Sequence, residues 1–254
     1  MIDKLLRKIR SFLLVAIEHR TPVQRVSPLI HAYPVLVVSL LVTGVLIGVR
    51  QSGGLQFLEL TAFDQIVRWL PQKPTAPPDP RILVVGISEP DIRHQQHWPL
   101  SDQTVAQLLK NLQQYQPKVI GLDLFRDVSH PPGRNELLKQ LQANNVIVVN
   151  QLGFGDSNRD STPPPPSVPK ARVGFSDFVI DSDNVLRRNL MYTRSPSGTK
   201  KAHSFALLVS LHYLANRGLT LQVKPNSLQI GPTIFKRLNA DSGGYQMVPS
   251  EANG

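Results

Sequence analysis

The stretch Val119–Val149, VIGLDLFRDVSHPPGRNELLKQLQANNVIVV, contains two apolar runs on either side of a short amphipathic segment. Val119–Leu124 and Val146–Val149 are each short and rich in β-branched residues, which is typical of strands buried on both faces. Three leucines at helical spacing between them predict a helix over residues 134–143. A strand, a crossover helix and a second strand with short links favour a parallel strand pair.

The same alternation extends toward the N-terminus. Ile82–Ile87 reads Ile-Leu-Val-Val-Gly-Ile and predicts another buried strand. Ser101 is a suitable N-cap for a helix whose apolar stripe continues to Tyr115. Strands that alternate with helices in this way predict a parallel sheet with helices packed on it.

The C-terminal part of the chain adds further elements. Val173–Val179 and Val185–Thr193 predict two strands of a hairpin, joined by the turn sequence Asp181–Asn184. Residues 153–170 predict an exposed loop, and residues 203–216 predict a helix that ends before Gly218. Short strands are predicted at residues 221, 228–230 and 233–235. We therefore expect an α/β fold: a three-layer-like domain with a parallel sheet core and an added hairpin.

Leu29–Val49 is a run of 21 residues without a charged side chain, and 13 of them are Leu, Ile or Val. A helix of this run would be about 31 Å long, close to the thickness of the hydrocarbon core of a bilayer. The chain therefore begins with a single predicted transmembrane helix. Four segments follow from this: 1–28 before the membrane, 29–49 within it, 50–80 as a stalk, and 81–254 as the folded domain.

Basic residues are concentrated before the predicted span. Residues 1–28 contain Lys4, Arg7, Lys8, Arg10, Arg20 and Arg25 against Asp3 and Glu18. The positive-inside rule places this segment in the cytoplasm and residues 81–254 outside the plasma membrane. The apolar run is too long for the core of a cleaved signal peptide, so an uncleaved anchor is expected. Residues 1–18 have one apolar helical stripe, and they are either a helix lying on the leaflet or an ordinary basic flank of the anchor.

The stalk is expected to be helical at first and extended afterwards. Apolar residues recur at spacings of three and four from Leu55 to Trp69, which predicts that the membrane helix continues to Leu70. Five prolines between residues 71 and 80 predict an extended connector.

The net charge of +10 does not indicate a nucleic-acid partner. Residues 1–50 have seven basic and two acidic groups, and residues 51–254 have 21 and 16, so each part contributes +5. Membrane topology explains the excess of basic residues in residues 1–50, and the excess in residues 51–254 is scattered along the sequence. The sequence has no cysteine, which excludes disulfides, thiolate catalysis and thiolate metal sites.

Candidate site residues follow the predicted strands, where a parallel sheet usually binds its ligands. They are Glu89 and Asp91 after the first strand, Asp123, Arg126 and Asp127 after the second, and Asp177 and Arg187 in the predicted hairpin. Converging carboxylates could bind a cation or a cationic small molecule, whereas the same residue types also cap helices and stabilise turns. Both interpretations stay open.

Other motifs give no catalytic or cofactor assignment. His94 and His97 would form a metal pair only on a helix, and they precede Trp98-Pro99 in a predicted loop. The Asp181–Asn184 turn lacks the later Gly and Glu of a calcium loop. The sequence contains no phosphate-binding loop, dinucleotide fingerprint or nucleophile elbow. We therefore expect no cofactor, no metal and no catalytic residues.

Several short motifs, taken in order, resemble the second class of CHASE domains, which are sensory modules of bacterial cyclases and histidine kinases. The motifs are Phe63-Asp64 with Arg68, Pro78-Asp79-Pro80-Arg81 before the first strand, Trp98-Pro99-Leu100-Ser101, Gly121-Leu122-Asp123 with Phe125, Gly174-Phe175-Ser176-Asp177, and Asp183–Arg188. The resemblance implies an extracytoplasmic α/β sensor followed by membrane helices and a cytoplasmic kinase or cyclase. Since no apolar span or output domain follows residue 50, we expect the chain to be C-terminally incomplete.

The leading functional hypothesis is a non-catalytic sensor whose small-molecule ligand, or whose partner in a homodimer, shifts the stalk. One alternative is a membrane-anchored hydrolase that uses a divalent metal in the acidic crevice. A third hypothesis is a structural anchor that holds a partner protein at the membrane.

Overall fold

The computed structural model describes residues 28–70, 77–153, 161–194, 201–240 and 242–246. The helices are α1 (Pro28–Gln51), α2 (Gln56–Trp69), α3 (Glu89–Gln95), α4 (Asp102–Gln113), α5 (Arg134–Leu141) and α6 (Phe205–Ala215). The strands are β1 (Ile120–Leu122), β2 (Val146–Asn150), β3 (Val173–Phe175), β4 (Tyr192–Arg194), β5 (Lys201–His203), β6 (Leu221–Lys224), β7 (Ser227–Ile230) and β8 (Thr233–Lys236). The chain divides into two compact units, residues 1–55 and 56–254.

Helix α1 belongs to the first unit. Its residues Tyr33–Gln51 have a mean hydropathy of 2.0, and none of this stretch is buried against protein. A helix whose apolar side chains all face outward is suited to lipid rather than to a protein core. The expected membrane helix is thus present in length and composition. The amphipathic segment expected over residues 1–18 lies outside the described residues.

The predicted continuous stalk helix is wrong at one point. Helix α1 ends at Gln51, and α2 begins only at Gln56. Gly53 has a φ of +80°, and its backbone N–H donates to the carbonyl oxygen of Arg50 at 3.0 Å. This left-handed residue ends the helix, as glycine commonly does at a helix C-terminus. Residues Gln56–Trp69 of the expected stalk are helical and form α2. Residues 71–76 of the connector lie outside the described residues.

A parallel sheet forms the centre of the second unit, as predicted. Its strand order is β1-β2-β3, and both pairs are parallel. Ile120 pairs with Val146, and Val148 pairs with Val173. The four residues Val146–Val149 are fully buried. A strand with side chains buried on both faces requires a helical layer on each side.

The two helical layers confirm the α/β architecture. Helices α4 and α5 pack with alternate residues of β1 and β2 in one apolar core. Helix α6 covers the other face, where Phe205 and Val209 contact Gly121. Helix α4 starts at the predicted cap, since Ser101 Oγ accepts a hydrogen bond from the backbone N–H of Thr104 at 3.2 Å.

A buried arginine ties the sheet to the end of α5. The guanidinium of Arg172 donates to the carbonyl oxygens of Leu141 and Val146, both at 2.8 Å, and of Ala143 at 2.9 Å. Leu141 is the last residue of α5 and Ala143 follows it, and backbone acceptors at a helix C-terminus lack helical partners, whereas Val146 begins β2. Burial lowers the pKa of Arg172, and the three acceptors stabilise its charge.

Substitution of Gly174 tests how closely α6 approaches the sheet. A Cβ atom at this position would lie 2.5 Å from the Cα and 2.8 Å from the N of Phe205. We expect Gly174→Ala to lower the free energy of unfolding by about 1–3 kcal/mol, because backbone atoms must move. Thermal unfolding followed by circular dichroism measures the change. Gly86→Ala is the control, since its Cβ would have no neighbour within 4 Å.

The first predicted strand is wrong. Ile82–Ile87 has neither helical nor strand pairing in the structure, and most of its side chains are exposed. Only Ile87 packs partly against the apolar core. An apolar run indicates a segment that favours pairing, but a strand also needs a neighbour, and the sequence does not specify one.

The predicted hairpin is also wrong as a strand pair. Residues 173–175 form β3, which pairs in parallel with β2 rather than antiparallel with residues 185–193. The turn itself is confirmed: the backbone N–H of Asn184 donates to the carbonyl oxygen of Asp181 at 2.9 Å, and that of Asp181 donates to Val185 at 3.1 Å. Only β4, at the end of the second predicted strand, is extended and paired, and its partner is β5.

The C-terminal elements agree with the predictions. Helix α6 occupies Phe205–Ala215, and Gly218 follows it with a φ of +72°. Strands β6, β7 and β8 form an antiparallel meander. Residues 154–160 of the predicted loop and residues 247–254 lie outside the described residues.

Candidate functional site

The turn after β3 places charged side chains against α2. Asp181 and Asp183 lie in this turn, and Arg187 and Arg188 follow it. Asp183 Oδ1 also accepts a hydrogen bond from the backbone N–H of Val185 at 3.2 Å, so the acidic residues shape the turn that presents them.

Arg187 is the centre of this group. Its guanidinium forms ion pairs with Asp64 of α2 at 2.7 Å, with Asp181 at 2.8 Å and with Asp183 at 2.6 Å. The Arg187 side chain is 8% exposed, so these pairs are largely shielded from water. Pairs of this kind are short and directional because both partners are charged. The pair with Asp64 joins residues that are 123 positions apart in the chain.

Arg188 and Tyr245 complete the group. Arg188 Nη2 lies 2.7 Å from Asp181 Oδ1, and the Tyr245 hydroxyl donates to Asp181 Oδ2 at 2.7 Å. The Arg188 guanidinium also lies 5.5 Å from the centre of the Tyr245 ring. We call Asp64, Asp181, Asp183, Arg187, Arg188 and Tyr245 the Arg187 cluster. Three carboxylates share two guanidinium groups in this cluster.

One face of α2 packs against the rest of the second unit next to the cluster. Gln56, Leu60 and Asp64 are spaced by four residues and therefore share this face. Leu60 is buried, and Gln56 Oε1 accepts a hydrogen bond from the backbone N–H of Gln246 at 3.0 Å. Gly244 approaches so closely that an added Cβ would lie 2.9 Å from the backbone of Leu60. Polar and close steric contacts thus fix α2 in one position.

Charge pairing shifts the titration of the cluster. Hydrogen bonds from Arg187 lower the pKa of Asp64 and of Asp183, and they raise the pKa of Arg187 itself. Burial raises the pKa of Tyr245, and its hydrogen bond to Asp181 adds to the effect. At neutral pH Asp64, Asp183 and Arg187 are therefore ionised, and Tyr245 is a neutral hydrogen-bond donor.

The lowered pKa values predict an acid-dependent attachment of α2. A carboxylate with a lower pKa in the folded chain contributes stability above its unfolded pKa of about 3.9, and the contribution disappears as the pH falls through the folded value. We expect the unmodified chain to melt at a higher temperature than Asp64→Asn at about pH 7, with the difference shrinking below about pH 4. Parallel melting curves of the two chains measure this. A difference that grows on acidification would contradict the assignment.

A second charged group lies between α4 and the loop after β1. Asp102 and Arg126 have side chains 0% and 1% exposed, and Arg126 Nη1 lies 3.6 Å from Asp102 Oδ1. Asp102 Oδ2 accepts from the backbone N–H of His130 at 3.1 Å and lies 3.5 Å from Arg134 Nη1. Arg134 also donates to the backbone carbonyls of Arg126, Asp127 and Val128, which fixes the loop.

The sequence-predicted site residues fall into separate groups. Arg126 belongs to the buried pair with Asp102, and Arg187 belongs to the Arg187 cluster. Asp177 accepts hydrogen bonds from the backbone N–H groups of Leu152 and Gly153 at 2.8 and 3.0 Å, so it holds the loop after β2. Asp91 accepts from the backbone N–H of Ser88 at 2.8 Å and forms a capping box of α3.

The remaining predicted residues are more accessible. Glu89 and Asp123 are exposed, and Asp127 is half-buried. His94 and His97 are also exposed. Within the described ranges, no group of three or more His, Asp or Glu side chains is arranged to bind a metal ion. The described residues therefore provide no ligand set for the metal-dependent hydrolase.

The comparison with protein families decides the assignment. A family model for the CHASE2 domain matches residues 39–250. The chain belongs to the CHASE2 domain family. CHASE2 domains are extracellular sensory domains and are not catalytic themselves. Searches of curated proteins and of solved structures returned no significant match.

Arg187 is the one cluster member that belonged to the sequence-based site, and the other five members and Asp102 were absent from it. Of these, Asp64, Asp183 and Arg188 nevertheless stand in motifs that indicated the CHASE2 family. An Asp and an Arg four residues apart, as in Asp183 and Arg187, are a usable sequence signal for a local ion pair. Nothing in the sequence connects Asp64 or Tyr245 to that pair, because both contacts depend on the tertiary fold.

Proposed function

We propose that this CHASE2 domain senses a small molecule outside the plasma membrane and reports its binding by moving α2. The contact of Asp64 with Arg187 is the observation that supports this proposal most strongly. It attaches the stalk helix to the turn that follows the central sheet. A ligand that binds one position of α2 more tightly than another would shift the population between them.

The proposed topology follows from the basic segment before α1. Residues 1–28 lie in the cytoplasm, α1 crosses the bilayer, and residues 81–254 lie outside. The stalk is then the connection between an external signal and the membrane. In a longer protein the receiver is a cytoplasmic kinase or nucleotide cyclase, reached through further membrane helices.

The ligand site is placed at the edge of the sheet that follows β1. Asp123 is exposed there, Asp127 is half-buried, and Glu89 at the start of α3 is exposed. Unlike Asp177 and Arg187, these carboxylates are accessible from solvent. A positively charged small molecule is therefore the favoured ligand class.

Distance measurements between two spin labels test the movement of α2. The absence of native cysteine allows labels at only two engineered sites, Gln65→Cys on α2 and Tyr115→Cys after α4. We expect one narrow distance distribution in the full chain and a broader one after Asp64→Asn. Ile66→Ala is the control, because it shortens an exposed side chain of α2 and leaves Asp64 and Arg68 intact. Identical distributions in all three chains would refute the proposed junction.

Ligand binding is tested with spermidine and ethylenediamine as two organic cations of different size. Saturable binding to the full chain that disappears in Asp123→Ala supports a ligand site after β1. Binding of the probe should also change the distance between the labels at positions 65 and 115. Saturable binding that Asp123→Ala leaves unchanged contradicts the proposed location of the site. If neither probe binds, the proposed ligand class is contradicted.

A further inference from the structure

The segment Ile82–Ile87 is the most unusual surface of the second unit. Ile82, Leu83, Val84 and Val85 are 67%, 81%, 83% and 50% exposed. Four consecutive large apolar side chains in water are costly, and a segment of this composition favours strand pairing. The segment is held at both ends, because Ile87 packs against the core and Arg81 Nε donates to Asp79 at 2.8 Å.

The backbone of the segment is available for pairing. The N–H of Ile82 donates to the carbonyl oxygen of Asp79 at 3.0 Å. Across the part of the chain that the structure describes, the N–H groups of Leu83–Ile87 donate to no acceptor. Ser88, with φ −101° and ψ 163°, continues the extended backbone to the start of α3. Free donors beside exposed β-branched side chains form a template for an added strand.

We propose that Ile82–Ile87 pairs antiparallel with the same segment of a second copy of this chain, about a two-fold axis through Val85. This register places Val85 opposite Val85, Leu83 opposite Ile87, and Arg81 opposite Glu89 of the other copy. Leu83, Val85 and Ile87 are two apart and share one face of the extended segment, while Arg81 precedes it and Glu89 begins α3. At each end of the paired segment, Arg81 of one copy then lies beside Glu89 of the other copy.

The charge pattern favours a second copy over an unrelated partner. The segment begins with a basic residue, Arg81, and ends with an acidic one, Glu89, so it is complementary to its own reverse. Parallel pairing would place like charges beside each other, which is unfavourable across strands. A shift by one residue would separate Arg81 from Glu89 of the other copy. The charges that flank the segment thus favour this direction and register. The pairing does not depend on the proposed sensory function.

Disulfide trapping of the full chain in membranes tests the axis. Opposite residues of an antiparallel pair have Cα atoms about 4.5–5.5 Å apart, within the range of a disulfide. We expect Val85→Cys to form a covalent dimer under mild oxidation. Tyr115→Cys is the control, since it is an exposed residue away from the segment and should stay monomeric. No dimer with Val85→Cys, or equal dimer with both variants, would overturn the proposal.

Charge reversal tests the register independently. In the Val85→Cys background, Arg81→Glu should remove most of the trapped dimer, and adding Glu89→Arg should restore it. Asp79→Asn separates this effect from the internal ion pair of Arg81, and it should leave the dimer in place. Failure of the double reversal to restore trapping, with the chain still folded by circular dichroism, would contradict the Arg81–Glu89 contact.

Discussion

Asp102→Ala is expected to lower the free energy of unfolding by about 3–5 kcal/mol, the range found when one partner of a buried ion pair is removed. The substitution leaves Arg126 buried without the carboxylate that pairs with it. Arg134 loses a neighbouring charge as well. The backbone N–H of His130 loses its acceptor, and the loop after β1 loses its attachment to α4. Urea unfolding of the full chain in detergent, followed by circular dichroism, measures the effect.

The matched control is Asp127→Ala. Asp127 lies in the same loop, but only its backbone carbonyl takes part in the contact with Arg134. Its substitution is expected to change stability by no more than about 0.5 kcal/mol. Equal effects of the two substitutions would mean that the loop tolerates loss of the buried pair. The restoring variant is Asp102→Ala with Arg126→Met, which removes both buried charges and should recover part of the loss.

Arg187→Ala is expected to detach α2 and to lower the free energy of unfolding by about 2–4 kcal/mol. The substitution leaves Asp64, Asp181 and Asp183 close together, with Arg188 paired to Asp181 and Arg68 near Asp64. The range lies below that for Asp102→Ala because the Asp64 side chain is still 25% exposed to solvent. Faster hydrogen exchange of the α2 amides, with unchanged exchange in α4, would locate the effect.

Two variants distinguish loss of the cluster from a general loss of stability. Arg187→Lys retains the charge but cannot contact three carboxylates with a planar fork, so we expect an intermediate effect. Ile66→Ala shortens an exposed side chain of α2 and should leave the hydrogen exchange of α2 unchanged. If Arg187→Ala accelerates exchange equally in α2 and α4, the cluster is not the specific attachment of the stalk.

Local patterns predicted much of the fold. β1, α5 and β2 follow the apolar runs and the leucine spacing of residues 119–149 within two residues. Ser101 caps α4 as expected, because a cap depends only on residues within one turn. The elements between β1 and β2 are close in sequence, so their packing is largely determined by their own composition.

Long-range pairing could not be predicted in the same way. The run Ile82–Ile87 has the composition of a strand but no paired neighbour among the described residues. Residues 173–175 pair with β2 rather than with residues 185–193, which are nearer in the sequence. The ion pair of Asp64 and Arg187 likewise requires the turn after β3 to lie against α2, more than a hundred residues earlier in the chain. Composition indicates which segments can pair, whereas the tertiary fold decides between competing partners.

The candidate site shows the same division. Of the seven residues predicted from the sequence, Arg126, Asp91, Asp177 and Arg187 have well-defined structural contacts. Glu89, Asp123 and Asp127 remain more accessible to solvent. Placement after a strand identifies a carboxylate near an edge of the sheet, but it does not show whether a backbone N–H or an arginine already occupies it.

Labelling of single cysteines in intact cells tests the central claim, that this CHASE2 domain lies outside the membrane. The native chain has no cysteine and provides the blank. With a membrane-impermeant maleimide, we expect Tyr115→Cys to be labelled in intact cells and Ser11→Cys to be labelled only after permeabilisation. Labelling of Ser11→Cys in intact cells, with Tyr115→Cys protected until the membrane is opened, would contradict the proposed topology and the external sensor with it.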